Sequence, residues 1–387
     1  MERYSNFRGR ALLFLFFLWF IWFANFSVRI VLSPLLPVIE DEFMINHSRA
    51  SSIFIFLSTG YGVAMIASGL FSGRFGYKKT IVLSLTLLSC TAFLIPLVHS
   101  FLLLNVFAFL LSFSVGLYLP SVIPLITEYY TEKNWGKAIA IHDTGASIAI
   151  FATPLIALFL LHIFPWRGIF VTYAFIFFIC AVVFCFAAGE VKILRPPKTM
   201  FKDIIKIRSL WLMALIWVLG MGANLGIYSI IPLYMTKELH LNMDYANTIL
   251  GISRLGAVAV SIACGFILDR FDLRKVMLIV LFLTSVFTVL LGLAPVKYIG
   301  IVLFMQAFFV IAFFPVGLVM IAKTFTRETR SLATGIIVAA SVVFGGGIIP
   351  YFLGVSGDLY SFRLGITAFG ILIMPAGALV FRLKELR

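Results

Sequence analysis

The chain has 387 residues, of which 62% are hydrophobic and only 12% are charged, and its mean hydropathy is +1.10. A soluble domain carries about 25% charged residues, so this composition excludes an ordinary water-soluble protein. The net charge of +14 is typical of nucleic-acid-binding proteins as well as of membrane proteins, and the positions of the charges decide between the two.

Twelve apolar segments are long enough to cross a bilayer, which takes about 20 residues. They lie at 11–38, 50–72, 79–97, 101–126, 138–161, 168–189, 209–235, 246–268, 276–294, 298–322, 332–354 and 363–381. The first is too long for a cleaved signal peptide, and Asn25 and Arg29 interrupt it. The sequence therefore predicts an all-α membrane protein with twelve transmembrane helices.

Lysine and arginine residues concentrate in alternate loops. If the N-terminus is cytoplasmic, 23 of the 30 Lys and Arg residues lie on the cytoplasmic side and 5 lie outside. This asymmetry follows the positive-inside rule. It predicts a multi-pass protein of the cell inner (plasma) membrane with both termini cytoplasmic. The basic residues then contact water and anionic membrane lipid, and a nucleic-acid partner has no support.

The first span contains a buried arginine. Arg29 lies 11 residues before Glu40, which marks the outer end of the span. At 1.5 Å per residue, this places the guanidinium roughly 15 Å below the outer boundary, near the midplane. An arginine at that depth is costly unless it faces water or a partner. Two interpretations stay open: Arg29 binds a ligand, or it binds helix-end carbonyl groups or extends outward to the membrane surface.

The fourth and fifth spans hold three further polar candidates. Tyr118 is a candidate cavity residue of the fourth span, and His142 and Asp143 stand together near the start of the fifth. Histidine titrates near neutrality, and an adjacent aspartate can tune it or take the proton itself. His142 and Asp143 are therefore candidates for proton coupling. Alternatively, Asp143 satisfies backbone N–H groups near the helix N-terminus.

The longest polar segment follows the sixth span and divides the chain. It predicts an N-terminal six-helix bundle at 1–190, a cytoplasmic linker at 191–208 and a C-terminal six-helix bundle at 209–387. The halves correspond at an offset of 196 residues, which pairs Glu42 with Glu238. Pro37 and Pro232 correspond at an offset one residue shorter. Internal repeats of this kind are typical of transporters.

Two loops repeat at the same offset. One reads GLFSGRFGYKK from Gly69, and the other reads GFILDRFDLRK from Gly265. They resemble the signature loop Gly-x-x-x-Asp-Arg-x-Gly-x-Arg/Lys of the major facilitator superfamily (MFS) of secondary transporters. The first copy has Gly73 in place of the aspartate, and the second has Asp272 in place of the later glycine. The resemblance implies the MFS fold, in which two pseudo-symmetric six-helix bundles of a monomer open a central site alternately to either side.

We predict a gating role for this motif. Gly69 and Gly265 would allow close helix contact, and Asp269 would accept hydrogen bonds from a helix N-terminus or pair with an arginine. Alternatively, the basic residues only enforce topology. The predicted gating residues are Gly69, Arg74, Gly76, Lys78, Gly265, Asp269, Arg270 and Arg274.

Arg254 in the eighth span is the second arginine within a span. It lies 10 residues after Asp244 at the outer end, so its depth should be similar to that of Arg29. A guanidinium is permanently charged and suited to bidentate carboxylate recognition. Few acids are embedded in the spans, so an exogenous anion is the simplest partner. Arg254 resembles the substrate-binding arginine of monocarboxylate transporters and oxalate–formate exchangers, and Arg29 resembles that of cyanate-type and organic-anion permeases.

Other polar residues on the cavity-type spans complete the predicted substrate site. A span asparagine is more often a helix–helix hydrogen bond than a ligand, so that alternative stays open for two of them. The predicted substrate-binding residues are Arg29, Arg254, Asn25, Tyr118, Asn224, Tyr228 and Gln306.

These patterns predict a secondary active transporter for a small organic anion, with a carboxylate favoured, that works by alternating access and is a candidate for proton symport. One rival is an exporter of lipophilic or cationic compounds, and another is a membrane sensor that transports nothing. The sequence has no phosphate-binding glycine loop, metal-spaced cluster or nucleophile triad, so we expect no enzyme activity, cofactor or metal. The expected partners are a small anionic substrate, protons and membrane lipid.

Overall fold

The computed structural model of the protein describes residues 4–189, 201–268, 270–383 and 385. Asp269 of the predicted gating motif and residues 191–200 of the predicted linker lie outside the described residues. The first half contains the helices α1 (Arg10–Phe43), α2 (His47–Phe75), α3 (Tyr77–Leu97), α4 (Phe101–Tyr129), α5 (Glu132–Leu161) and α6 (Trp166–Ala187). The second half contains α7 (Arg208–Glu238), α8 in two pieces (Met243–Ile252 and Ala257–Leu268), α9 (Leu273–Leu293), α10 (Val296–Thr324), α11 (Leu332–Leu359) and α12 (Phe362–Arg382).

The eighth predicted span is divided by a turn at 253–256. Its two pieces have 10 and 12 residues, and each is too short to cross a bilayer alone. Within the described residues, the other eleven helices are long and apolar enough to do so. The two pieces together cover 243–268 and supply the twelfth crossing. The prediction of an all-α protein with twelve transmembrane helices is confirmed.

The chain divides into two compact units. One contains Met1–Leu32 and Thr59–Pro196, and the other contains Ser33–Ser58 and Pro197–Arg387. The end of α1 and the beginning of α2 therefore belong to the second unit, whereas the rest of both helices belongs to the first. The bundle bounds at 1–190 and 209–387, with a linker between them, stay a prediction.

In the first unit, α5 lies against α1 with little space between the backbones. A Cβ atom at Gly145 would come within 2.9 Å of the Trp19 carbonyl oxygen, so a larger residue would force a shift. One residue earlier, Thr144 Oγ1 accepts a hydrogen bond from Trp19 Nε1 at 3.0 Å. This close contact holds His142 of α5 beside α1.

In the second unit, α7 and α11 contain wide, π-helical turns. Those of α7 are Gly222–Gly226 and Tyr234–Glu238, and that of α11 is Ser341–Ile348. A Cβ atom at Gly345 would come within 2.5 Å of the Val218 carbonyl oxygen, so α7 and α11 meet backbone to backbone. π-helical turns of this kind are frequent at functional sites, because they displace backbone groups from the regular helix ladder.

Carboxylates connect helix ends in the second unit. Glu238 at the end of α7 accepts hydrogen bonds from the backbone N–H groups of Phe362 and Arg363, where α12 begins. Asp358 near the end of α11 accepts from the backbone N–H groups of His47 at 2.8 Å and Ser48 at 2.9 Å, where α2 begins. A carboxylate at a helix N-terminus contributes typically about 0.3–1 kcal/mol. The Asp358 contact helps to hold the beginning of α2 within the second unit.

Replacing Gly345 by alanine should destabilise the second unit more than replacing Gly346. The new Cβ at Gly345 would meet backbone atoms at 2.5 Å (Val218) and 2.8 Å (Gly222), and overpacking of this kind costs typically about 1–3 kcal/mol. At Gly346 the nearest atom is Ser58 Oγ at 3.4 Å, an ordinary contact. We expect a lower thermal unfolding midpoint for Gly345→Ala than for Gly346→Ala, measured in detergent by tryptophan fluorescence. Equal midpoints would contradict the close contact of α7 and α11.

Candidate functional site

Arg254 lies at the turn that divides α8, and only 1% of its surface is exposed. Its Nη1 donates to Asn224 Oδ1 at 2.6 Å, and its Nη2 donates to the Asn224 carbonyl oxygen at 3.1 Å. The guanidinium carbon lies 5.2 Å from the centroid of the Tyr228 ring. Among the described residues, no carboxylate is within ion-pairing distance of Arg254, and its Nε has no hydrogen-bond partner. Its charge is therefore solvated by neutral groups, which use only part of its five N–H donors.

Gln306 of α10 binds the same wide turn of α7. Its side chain is fully buried, and its Nε2 donates to the Ala223 carbonyl oxygen at 2.9 Å. Gln306 and Arg254 thus bind neighbouring carbonyl groups of α7, which supports a structural contribution from both. The Oε1 atom of Gln306 has no hydrogen-bond partner in the described part of the chain. The structure brings together the four predicted site residues of the second unit, which are Asn224, Tyr228, Arg254 and Gln306.

Arg29 belongs to the first unit and packs against aromatic rings. Its guanidinium carbon lies 4.1 Å from the centroid of the Tyr61 ring on α2 and 5.8 Å from that of Phe26. Its side chain is 8% exposed, which argues against extension to the membrane surface. No ion pair of Arg29 is found within the described ranges. A ring that covers the flat face of a guanidinium leaves the N–H groups at its edge available to an anion.

Tyr118 and His142 are in contact in the first unit, and both are fully buried. The Tyr118 hydroxyl donates to the Leu18 carbonyl oxygen at 3.0 Å and lies 3.3 Å from His142 Nε2. The His142 ring also stacks on Trp22, with 5.7 Å between the ring centroids. His142 Nδ1 has no hydrogen-bond partner among the residues that the structure describes.

Asn25 and Asp143 differ in their environments. Asn25 is fully buried, and neither its Oδ1 nor its Nδ2 has a partner in the described ranges, so no helix–helix hydrogen bond explains it. Asp143 is exposed. It lies close enough to Trp22 and Tyr61 to interact with both side chains. An acid on a membrane helix is thus accessible near the Arg29–Tyr61 pair without forming an ion pair with Arg29.

Trp22 and Tyr61 are not among the site residues predicted from the sequence, yet their rings contact His142 and Arg29. One signal for Trp22 is its spacing. Trp22, Asn25 and Arg29 follow each other at intervals of three and four residues, which places them on one face of α1. The sequence has no comparable signal for Tyr61, because the residue that meets Arg29 depends on how α2 packs against α1.

The first gating loop has an open surface at its beginning. Gly69 is exposed, and a Cβ atom there would meet no described atom within 4 Å. Close helix contact at Gly69 stays a prediction. Gly76 at the start of α3 has a φ of 88°, which favours glycine. Arg74 is exposed and Lys78 is half-buried.

The second gating loop has a different helix start. Asp272 takes the place of Gly76, and its backbone is extended, with a φ of −61° and a ψ of 123°. Its carboxylate accepts hydrogen bonds from the backbone N–H groups of Arg274 at 3.0 Å and Lys275 at 3.1 Å. The Lys275 N–H, together with the nearby Arg274, holds the pKa of Asp272 below its usual value. Arg270 is exposed. Asp272 is therefore a helix cap, and a gating role for this motif stays a prediction.

The repeated halves and the twelve membrane helices are typical of secondary transporters. The family model described as "Major Facilitator Superfamily" matches residues 18–250 and 212–387. The chain belongs to this superfamily, whose members are transporters and not enzymes. Its fold is accordingly that of two six-helix bundles with internal pseudo-symmetry.

Three curated relatives are 21–24% identical to this chain over the residues that align. The "Nitrite extrusion protein" of Bacillus subtilis is 22% identical over 70% of this chain and 69% of its own length. The "Cis,cis-muconate transport protein" of Acinetobacter baylyi is 24% identical over 68% and 67%. The "Probable L-galactonate transporter" of Escherichia coli is 21% identical over 92% and 85%.

Solved structures share the fold over almost the whole chain. A bacterial homolog of the human lysosomal transporter Spinster, in an inward-facing and occupied conformation, has a TM-score of 0.83 at 15% identity, with 98% of both chains covered. A D-xylose–proton symporter has a TM-score of 0.81 at 14% identity, with 98% of this chain and 99% of the other covered. At these identities the likeness establishes the fold alone.

Replacing Asp272 by alanine should destabilise the start of α9. The variant removes the acceptor for two backbone N–H groups, which then have no side-chain partner at the start of the helix. Asp272→Asn keeps an acceptor oxygen and should retain most of the stability. The measurement is the thermal unfolding midpoint at pH 7. A midpoint for Asp272→Ala equal to that of the wild type would show that the cap contributes nothing.

Proposed function

We propose that this protein is a secondary active transporter of small organic anions, with carboxylates as the favoured class, and that it works by alternating access. The observation that carries the proposal is the buried guanidinium of Arg254, whose charge has no acidic partner among the described residues. A protein gains nothing in stability from an uncompensated cation inside a membrane. A transported anion provides the compensating charge during each cycle.

The geometry around Arg254 suits a carboxylate. Asn224 holds two of the guanidinium N–H groups, which fixes its plane while leaving other donors available. A planar guanidinium of fixed orientation can bind both carboxylate oxygens. The helix break beside Arg254 adds support, because transporter sites are typically built at interrupted helices near the bilayer midplane.

Arg29 is the second proposed anion-binding residue. It also lacks an acidic partner in the described ranges, and its guanidinium carbon lies over the Tyr61 ring. Within the first unit, we place Asn25 and Tyr118 among the substrate-binding residues, and Asn25 offers an unbonded amide. In the second unit, Tyr228 and Gln306 complete the set.

The names of the relatives favour the same substrate class. Nitrite, muconate and galactonate are all anions at neutral pH, and the latter two are carboxylates. We further propose proton symport, with His142 and Asp143 as the coupling residues. The proposed location is the cell inner (plasma) membrane, with both termini cytoplasmic and a monomer as the working unit.

Arginine substitutions test the proposal directly. Purified protein in proteoliposomes is assayed for uptake and exchange of lactate, galactonate, cis,cis-muconate and nitrite, with ethidium as a lipophilic cation. We expect anion transport by the wild type. We expect a roughly 10–100-fold loss for Arg254→Ala and for Arg29→Ala, because a hydrogen bond to a charged group is worth about 1.5–3 kcal/mol.

The matched control is Lys297→Ala, which removes one positive charge from an exposed position at the start of α10. It should transport anions like the wild type. Retained anion transport in both arginine variants would overturn their role. Transport of ethidium without any anion would favour the rival exporter function.

Replacing Asn224 by aspartate should suppress anion transport by giving Arg254 an internal partner. The new carboxylate has almost the same shape as the amide and would accept the existing Nη1 hydrogen bond as an ion pair. Asn224→Ala serves as the control, because it removes the contact without adding a charge. We expect exchange to fall further in Asn224→Asp than in Asn224→Ala, with thermal stability preserved in the former. Full anion exchange by Asn224→Asp would show that the unpaired charge of Arg254 is not needed.

A further inference from the structure

His142 lies beside two aromatic rings in the first unit. Its imidazole lies 5.7 Å from Trp22 and 6.0 Å from Tyr118 between ring centroids, with interplanar angles of 15° and 25°. No part of His142 is exposed.

The hydrogen bonds around Tyr118 determine the tautomer of His142. A tyrosine hydroxyl has a single proton to donate. Tyr118 must donate it to the Leu18 carbonyl oxygen at 3.0 Å, because a carbonyl oxygen cannot be the donor in this contact. The 3.3 Å contact between Tyr118 and His142 Nε2 is therefore a hydrogen bond from the imidazole N–H to the hydroxyl oxygen. In the neutral ring, Nδ1 is then the unprotonated nitrogen.

The bare Nδ1 is buried without a partner among the described residues. A buried acceptor without a hydrogen bond costs about 1–3 kcal/mol, so its retention calls for a reason. Protonation of Nδ1 would create an imidazolium beside the indole of Trp22, whose ring centroid lies 5.7 Å away and whose interplanar angle is 15°. An aromatic face attracts a cation, and the face of tryptophan does so most strongly. Trp22 thus offsets part of the cost of a buried positive charge.

We propose that His142 Nδ1 is the binding atom for the coupling proton and that Trp22 and Tyr118 are positioning residues for it. This inference rests on the proposed function and names its coupling ion and the atom that carries it. In the step, a proton leaves a hydronium ion and forms an N–H bond with the lone pair of Nδ1, so water remains. The same proton leaves again when the cycle exposes the ring to the other side. One proton with one monovalent anion makes the transport electroneutral.

Other titratable groups near the ring have separate roles. Asp143 follows on the same helix, points about 100° away from His142 and is exposed, so it is placed to deliver protons rather than to pair with the ring. Cys180 of α6 is close enough to Tyr118 to interact with it. From α1, the groups next to the ring system are the neutral indole of Trp22 and the Leu18 carbonyl. The described groups packed on His142 therefore include no fixed charge.

Proton flux tests the proposal in proteoliposomes with a trapped pH-sensitive dye and labelled galactonate or cis,cis-muconate. For the wild type, we expect anion entry to acidify the lumen, and we expect an imposed pH gradient to drive accumulation. His142→Gln should lose both responses, because the side-chain amide of glutamine does not take up a proton near neutral pH. His162→Gln is the control, since it changes an exposed histidine just beyond the end of α5.

The two proposals fail in distinguishable ways. Absence of anion exchange in the wild type would refute the proposed function. Exchange without acidification in the wild type, or accumulation driven by a pH gradient in His142→Gln, would overturn the proton site alone.

A measurement without substrate completes the test. Nitrogen NMR of ¹⁵N-histidine-labelled protein separates the ring nitrogens, and the signal missing in His142→Gln identifies His142 among the 5 histidines. We expect a neutral ring with the proton on Nε2 that gains a proton on Nδ1 as the pH falls. Trp22→Leu should require a lower pH for this change, and Tyr118→Phe should give a mixture of tautomers. A proton on Nδ1 in the neutral wild type would overturn the assignment, whatever the transport assays show.

Discussion

The structure depends on how a membrane protein keeps a positive charge in a region that cannot solvate it. Arg254 and Arg29 are both buried, and within the described residues neither has an acidic partner. A buried cation that is paired with an internal acid forms a neutral pair, which attracts an anionic ligand only weakly. Here the compensation comes from an amide, a carbonyl group and ring faces, which lower the cost of burial without cancelling the charge. The positive charges are therefore not neutralised within the described residues.

The two arginines are held by different means, although the halves of the chain are repeats. Arg254 uses hydrogen bonds to the wide turn of α7, whereas Arg29 uses the face of Tyr61. At the 196-residue offset, the position that corresponds to Arg29 is Leu225, which lies within that same wide turn. The position of the arginine in the first half thus corresponds, in the second half, to a residue of the turn that binds Arg254. The fold is repeated, but the chemistry at this depth is not.

Much of the fold was predictable, because span length and hydrophobicity are properties of the residues alone. The break in α8 was not, since the sequence around Arg254 contains no proline and the turn depends on tertiary contacts. The wide turns of α7 and α11 likewise arise where two helices approach closely, as at Gly345. Site composition was only partly predictable. Among 13 Tyr and 6 Trp residues, helix packing decides which rings meet Arg29 and His142.

The wide turn at Tyr234–Glu238 explains an irregularity in the repeat. Pro37 and Glu42 are five residues apart, whereas Pro232 and Glu238 are six residues apart, so the second half has one residue more between them. A π-helical turn takes up an extra residue without rotating the rest of the helix by a full 100° around its axis. The extra residue is thus accommodated within α7 and does not lengthen the next loop. Glu238 can still reach the backbone of α12, and sequence changes of this size can accumulate in a duplicated half while its helix ends stay in place.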